Sequence, residues 1–93
     1  MMNIVNKLRD KAMYIKKYAD YFRSYPRSTE VDEVIGIMDN ASNAYRIAAH
    51  YIIQILDEGG ENIDHIVIDI ENKADMIART AYNKADIIEN SFR

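Results

Sequence analysis

Apolar side chains recur at alternating intervals of three and four residues along the first part of the chain. In segment 3–24 the recurring positions are Val5, Leu8, Ala12, Ile15, Ala19 and Phe22. This spacing places them along one face of an α-helix and is typical of helices that pack in a coiled-coil manner. We predict that the helix ends where Tyr25 precedes Pro26, because the proline ring disfavours helical dihedral angles in the residue before it.

A second segment, 29–58, has a wider apolar face. Its inward positions at heptad spacing are Val31, Val34, Met38, Ala41, Tyr45, Ala48, Ile52 and Ile55. The positions on both sides of this face are also largely apolar, so the segment needs a neighbouring helix on each side. We therefore predict that it is the central helix, capped at its start by Ser28 or Thr29 and terminated by Gly59 in a left-handed conformation.

The third segment, 62–92, is helical in its periodicity although it contains a strand-like stretch, HIVIDI, at 65–70. Its apolar positions are Ile63, Val67, Ile70, Ala74, Ile77, Ala81, Ala85, Ile88 and Phe92. Because they follow one line at 3.6 residues per turn, we predict one long helix rather than a strand. NKADMI at 72–77 returns as NKADII at 83–88, which places Met76 and Ile87 on a separate line. That line is a candidate second contact surface.

Together the three segments predict an all-α fold: an antiparallel three-helix bundle, coiled-coil-like, with one short and two long helices. The 93 residues suffice for a single helical domain, 1–93, with helices at about 3–24, 29–58 and 62–92. Alanine repeatedly occupies inward positions, which lets helices approach one another closely.

The composition excludes several classes of protein. The chain has no cysteine, so it forms no disulfide and uses no thiol in catalysis or metal binding. It has no run of eighteen apolar residues, so we expect no membrane-spanning segment and a cytoplasmic protein. The fifteen isoleucines and eight asparagines suggest AT-rich coding DNA, as in a phage or other mobile element.

Charge is distributed unevenly along the chain. Residues 1–27 carry seven basic side chains and two acidic ones, whereas residues 28–71 carry ten acidic side chains and Arg46 as their one base. We expect the basic segment to pair with the acidic one, within the chain or between subunits. A basic patch kept for an anionic partner is the alternative.

Few residues of the chain suit catalysis or metal binding. His50 is predicted to lie opposite the core face, in solvent. Glu61, His65 and Asp69 share one face of the third helix, but three ligands from a single helix rarely suffice for a metal ion. The sequence has no phosphate-binding glycine loop, nucleophile elbow or buried acid–base pair. We therefore expect a protein that is not an enzyme and that has no metal and no cofactor.

The most distinctive stretch is YIKKYADYFRSYPR, residues 14–27, which holds four of the seven tyrosines. They follow one flank of the first helix, beside its apolar face, and form what we call the tyrosine flank: Tyr14, Tyr18, Tyr21 and Tyr25. The opposite flank carries basic residues at intervals of seven: Arg9, Lys16 and Arg23.

Three interpretations of this stretch and its surroundings compete. In the first, the tyrosine flank packs over the central helix or against a second copy of the chain, because tyrosine combines a large apolar ring with a hydroxyl group that needs a partner. In the second, the bases of single-stranded nucleic acid or of a nucleotide stack on the rings while Lys17, Arg23 and Arg27 neutralise phosphate. In the third, the acidic segment 28–71 mimics nucleic acid towards a host protein.

We favour the first interpretation, a non-enzymatic helical protein that self-associates, as a dimer, and binds a protein partner. An accessory or inhibitory protein of a phage or mobile element would suit this description. The contact residues that we predict are Tyr14, Tyr18, Tyr21, Tyr25, Arg23 and Arg27. The runner-up is a nucleic-acid or nucleotide binder that uses the same face, although an isoelectric point near 5.3 counts against it.

Overall fold

A computed structural model of the chain describes residues 2–60 and 63–91, which form three helices and no strand. Helix α1 spans Met2–Phe22, α2 spans Thr29–Asp57 and α3 spans Asp64–Ser91. The predicted all-α class with three helices is confirmed, and the strand-like stretch at 65–70 lies within α3. None of these described helices is long and apolar enough to cross a bilayer.

The connection between α1 and α2 is short and hydrogen-bonded. Helix α1 ends at Phe22, before the proline, and the amide of Tyr25 donates to the carbonyl oxygen of Phe22 at 3.0 Å. The Ser28 hydroxyl then accepts a hydrogen bond from the amide of Val31 at 3.1 Å. Ser28 is therefore the N-cap of α2, in the extended conformation that this position requires.

Two glycines terminate α2. Gly59 has a φ of +76°, as predicted for a left-handed residue after the helix. The amide of Gly60 donates to the carbonyl oxygen of Ile55 at 2.9 Å, which satisfies a carbonyl of the last turn. A Cβ atom on Gly60 would lie 2.4 Å from Cγ2 of Ile55, so this position tolerates no larger side chain without a shift.

Helix α2 is the central element and contacts both α1 and α3. The molecule is elongated, with extents of 50 × 18 × 18 Å. The inward positions predicted for α1 are all buried. The largest side chains with no solvent exposure are Phe22, Leu8, Ile15, Met38 and Ile52.

The inward face of α3 agrees with the predicted one at Val67, Ala74, Ala81, Ala85 and Ile88, which are buried, and differs from it at Ile77. Its buried centre is made of alanines: Ala74, Ala78, Ala81 and Ala85. Ile70 is half-buried and packs against the core, whereas 36% of Ile77 is exposed, so the assignment of Ile77 to the core was wrong. Small side chains let α3 lie close to α2, and the two isoleucines are left at the edge of that contact. Phe92, also assigned to the core, lies outside the described residues.

Candidate functional site

The tyrosine flank lies on the side of α1 that faces α3. The Tyr82 ring of α3 has its centroid 6.3 Å from that of Tyr14 and 5.9 Å from that of Tyr18. Tyr14 and Tyr21 are exposed, whereas Tyr18 and Tyr25 are half-buried. The flank is thus a continuous aromatic surface, with two of its rings open to solvent and two built into the bundle.

The two half-buried tyrosines have structural partners. The Tyr18 hydroxyl donates to a carboxylate oxygen of Glu89 at 2.7 Å, which ties α1 to the end of α3. Burial and this hydrogen bond raise the pKa of Tyr18 well above its usual value. The Tyr25 ring packs on Phe22 with centroids 4.7 Å apart. Tyr18 therefore links α1 to α3, and Tyr25 packs at the end of α1, whatever binds to the exposed rings.

Both arginines predicted as contact residues are paired with acids of α2. Arg23 donates to Asp39 at 2.8 Å, and the Nε of Arg27 lies 3.1 Å from a carboxylate oxygen of Asp32. The predicted pairing of the basic segment with the acidic one thus occurs within the chain at these positions. A phosphate group on the tyrosine flank would have to compete with these carboxylates for the arginines.

A network of charged groups joins α1 to α3. The Lys11 ammonium lies 2.8 Å from Glu71 and 3.0 Å from Asp75, and the hydroxyl of the buried Tyr45 donates to Asp75. Burial opposes the charged forms of the two carboxyl groups. Hydrogen bonds from Lys11 and Lys7 nevertheless lower the pKa of Glu71, and those from Tyr45 and Lys11 lower the pKa of Asp75. The same contacts raise the pKa of Lys11 against the effect of burial.

The cleft beside this network has a volume of about 820 Å³. Its walls carry the rings of Tyr14, Tyr45 and Tyr82 and the side chains of Lys11 and Arg79. Lys11 and the Tyr45 hydroxyl are both engaged with Asp75, so these groups link the three helices of the bundle. The arrangement leaves a ring-lined depression on the surface.

A second groove, between α2 and α3, is almost entirely apolar, and we call it the α2–α3 groove. It has a volume of about 400 Å³ and is lined by Ala44, Ile47, Ala48, Tyr51, Ile70, Lys73, Ala74 and Ile77. Its one charged group, the Lys73 ammonium, is paired with Asp69 at 3.1 Å. Ile47 is 68% exposed at its edge. This groove was not predicted, although apolar residues beside the inward face of α2 were the available signal.

The described residues contain no group of three histidine, aspartate or glutamate side chains that could hold a metal ion. His50 and His65 are both exposed. Glu61, which was considered with His65 and Asp69 as a ligand set, lies outside the described residues.

The comparisons with known proteins give no relative from which a function could be transferred. No protein-family model matches the chain. Neither a curated protein nor a solved structure matches it.

Proposed function

We propose that the protein is a non-enzymatic interaction protein that self-associates as a dimer through the α2–α3 groove and presents the tyrosine flank to a protein partner. The observation that carries the proposal is the groove itself. Large apolar side chains stand exposed along it, and only Lys73 brings a charge into it. A contiguous apolar surface of this kind is typical of protein–protein contact sites.

A second copy of the chain is the occupant that we propose, because the groove is complementary to itself. It has hollows at Ala44, Ala48 and Ala74 and protruding side chains at Ile47 and Ile77. A two-fold axis brings the same patch of both subunits together, so each interface must supply both shapes. The protruding isoleucines of one copy can pack onto the alanines of the other, as knobs enter holes between helices.

The charges around the groove also favour a second copy. The net charge of −3 disfavours self-association in general. Within the groove, however, Lys73 is already neutralised by Asp69, so two copies bring no unpaired like charges together. Burying an isoleucine contributes roughly 1.5–3 kcal/mol, while association itself costs at least about 4 kcal/mol. We therefore expect a dimer that dissociates on dilution.

Substitution of the exposed isoleucines tests whether the α2–α3 groove is the interface between the two subunits. Ile47→Asp with Ile77→Asp places a carboxylate on each edge of the groove, so we expect a monomer at concentrations where the wild-type chain is a dimer. The matched control is Met76→Asp with Ile87→Asp, because these residues are 64% and 67% exposed and do not line the groove. The measurement is the molar mass by sedimentation velocity. A groove variant with the mass of the wild-type dimer contradicts the proposed interface. A control variant that dissociates as much as the groove variant contradicts it as well.

The antiparallel, coiled-coil-like arrangement is part of the proposal, and the order of the contacts between helices supports it. Lys11 of α1 lies over the ring of Tyr45 of α2, with 5.6 Å between the ammonium and the centroid. Arg23, later in α1, binds Asp39, earlier in α2. The contacts between α2 and α3 run in the same reversed order: Glu33 with Lys84, and Tyr45 with Asp75.

The tyrosine flank is the surface that we propose for a protein partner. Tyr14 and Tyr21 offer exposed rings beside the half-buried Tyr18, and exposed aromatic rings are enriched in protein interfaces. A photo-crosslinking residue at position 14 should form a covalent adduct with one host protein in a cell lysate, and Tyr21→Ser should abolish that adduct. The same label at position 76 is the control, and an identical adduct pattern there contradicts the proposal. The proposal also includes a cytoplasmic location, with which the absence of cysteine is consistent. It further includes an accessory role in a phage or other mobile element.

A further inference from the structure

Most basic side chains of the described residues have an acidic partner. Seven of them form ion pairs: Lys7, Lys11, Lys16, Arg23, Arg27, Lys73 and Lys84. Within residues 2–60 and 63–91, four basic side chains form none: Arg9, Lys17, Arg46 and Arg79. Arg9 and Arg46 belong to different helices, and the fold brings these two to the same groove.

That groove lies between α1 and α2, and we call it the arginine groove. Arg9 and Arg46 both line each of its two adjoining depressions, of about 620 and 300 Å³. One turn away from them, the buried Ser42 hydroxyl donates to the carbonyl oxygen of Ala12 at 2.9 Å and fixes the two helices against each other. The position of the two arginines therefore follows from a buried contact and not from a loop.

Arg9 and Arg46 line the same groove, whereas the other basic residues on this flank of α1 face an acidic residue of α2. Lys16 and Arg23, on the same flank as Arg9, face Asp39 at 3.9 and 2.8 Å. Arg46 is the only lysine or arginine between residues 28 and 71, yet it lines the same two depressions as Arg9 instead of pairing with an acid. Like charges in proximity oppose folding, and a local conflict of this kind is typical of a functional site.

We propose that the arginine groove binds a phosphate-bearing ligand through its di- or triphosphate group, which lies between the guanidinium groups of Arg9 and Arg46. A guanidinium group presents a planar set of donors that matches two phosphate oxygens. The bound phosphate would replace the repulsion between the two arginines with two charge-assisted contacts. Asn43 and His50 also line the larger depression and can donate further hydrogen bonds.

The length of the positive stretch favours a compact polyphosphate over the backbone of a nucleic acid. Lys16 follows Arg9 by seven residues of helix, or about 10 Å. Beyond it, Asp39 places a carboxylate in the path of a longer polyanion. Met13 lines the smaller depression, is 58% exposed and can contact the rest of the ligand.

Titration calorimetry with inorganic pyrophosphate at low ionic strength tests the site. Arg9→Gln with Arg46→Gln should weaken binding about a hundredfold, since each charge-assisted contact contributes about tenfold. The matched control, Lys17→Gln with Arg79→Gln, removes the same charge from two residues that line neither depression. It should bind pyrophosphate within about threefold of the wild-type chain.

Thermal melting separates a binding role from a structural one. Without ligand, the arginine variant should melt at the same temperature as the wild type or higher, because the repulsion is removed. Pyrophosphate should raise the melting temperature of the wild type and of the control but not that of the arginine variant. An arginine variant that melts lower without ligand overturns the inference.

A short oligothymidylate without a terminal phosphate distinguishes the two sources of phosphate. It should bind more weakly than pyrophosphate at equal phosphate concentration, and tighter binding overturns the inference in favour of a nucleic-acid backbone. Absence of pyrophosphate binding, or an equal loss in the control variant, overturns it as well. The arginine substitutions leave the exposed isoleucines of the α2–α3 groove in place, so the molar mass of the same variants reports separately on self-association.

Discussion

The Lys11 ammonium lies 2.8 Å from a carboxylate oxygen of Glu71, and this ion pair joins α1 to α3 through two residues that are 60 positions apart in the chain. Asp75, one turn later, accepts a second hydrogen bond from the same ammonium at 3.0 Å. Since α1 and α3 are linked here through side chains, the network contributes directly to the closure of the bundle.

The Lys11 network should make the stability of the bundle sensitive to acid. The lowered pKa values of Glu71 and Asp75 give stabilisation that is present above their unfolded values, near pH 4, and is lost as the pH falls through the folded values. Lys11→Met should therefore reduce the free energy of unfolding at pH 7 by about 2 kcal/mol, and its deficit should narrow below pH 4.

Urea unfolding at several pH values measures this deficit. Lys73→Met is the control, because its ion pair with Asp69 is exposed and should contribute at most about 0.5 kcal/mol. Equal effects of the two substitutions at pH 7 would show that the Lys11 network has no special role.

The Tyr45 hydroxyl should produce the opposite dependence at high pH. Burial and the hydrogen bond to Asp75 raise the pKa of Tyr45, so its stabilisation is present below about pH 10 and is lost as the pH rises through the folded value. Tyr45→Phe should reduce the free energy of unfolding by about 1–2 kcal/mol at pH 7 and should flatten its decline above pH 10. Tyr51→Phe, at an exposed position, should change neither quantity when measured by urea unfolding at pH 7 and 11.

The three glycines should respond differently to the same substitution. Gly60→Ala should reduce the free energy of unfolding by more than about 1 kcal/mol, because the new Cβ would meet Ile55. Gly59→Ala should reduce it by roughly 1–2 kcal/mol, because its φ is +76°. Gly36→Ala, with open space around it inside α2, should increase it by about 0.5–1 kcal/mol. Thermal unfolding of the three variants measures the order of their stabilities. A Gly36→Ala variant that is less stable than Gly59→Ala contradicts the prediction.

The sequence predicts the helices of this fold better than the side of α3 that is buried. The inward residues of α1 and the caps Ser28 and Gly59 follow from local spacing and backbone preference, and the structure has them as predicted. The inward face of α3 depends on how closely it approaches α2, which periodicity alone does not determine. Since alanine and isoleucine are both apolar, the pattern did not distinguish the buried Ala78 from the exposed edge at Ile77.

The candidate site, too, could be predicted only where it lies on a single helix. The tyrosine flank was visible as surplus aromatic residues in one stretch, but the sequence did not show that Tyr18 and Tyr25 are half-buried against the core. The α2–α3 groove and the arginine groove each combine residues of two helices, so neither could be recognised before those helices were placed side by side. Charge counting did predict that the basic and acidic segments would pair, but it could not show that Arg9 and Arg46 line one groove without an acidic partner.

The alanine face of α3 gives a further prediction. Ala81→Leu adds volume at a site with no solvent exposure and should reduce the free energy of unfolding by about 1–3 kcal/mol. Ile77→Ala should reduce the free energy of unfolding by well under the roughly 2–5 kcal/mol that truncation of a fully buried isoleucine costs, because the side chain is already 36% exposed. Denaturant titration at concentrations low enough to keep the chain monomeric compares the two. A larger loss of stability for Ile77→Ala than for Ala81→Leu would show that Ile77 belongs to the core.

Sedimentation equilibrium of the wild-type chain over a range of concentrations tests the proposed self-association most directly. A dimer through the α2–α3 groove predicts an average mass that rises with concentration from the chain mass of 10.8 kDa towards about twice that value. The Ile47→Asp, Ile77→Asp variant should remain at the chain mass throughout. A wild-type mass that stays at 10.8 kDa up to the highest concentration measured would contradict the account.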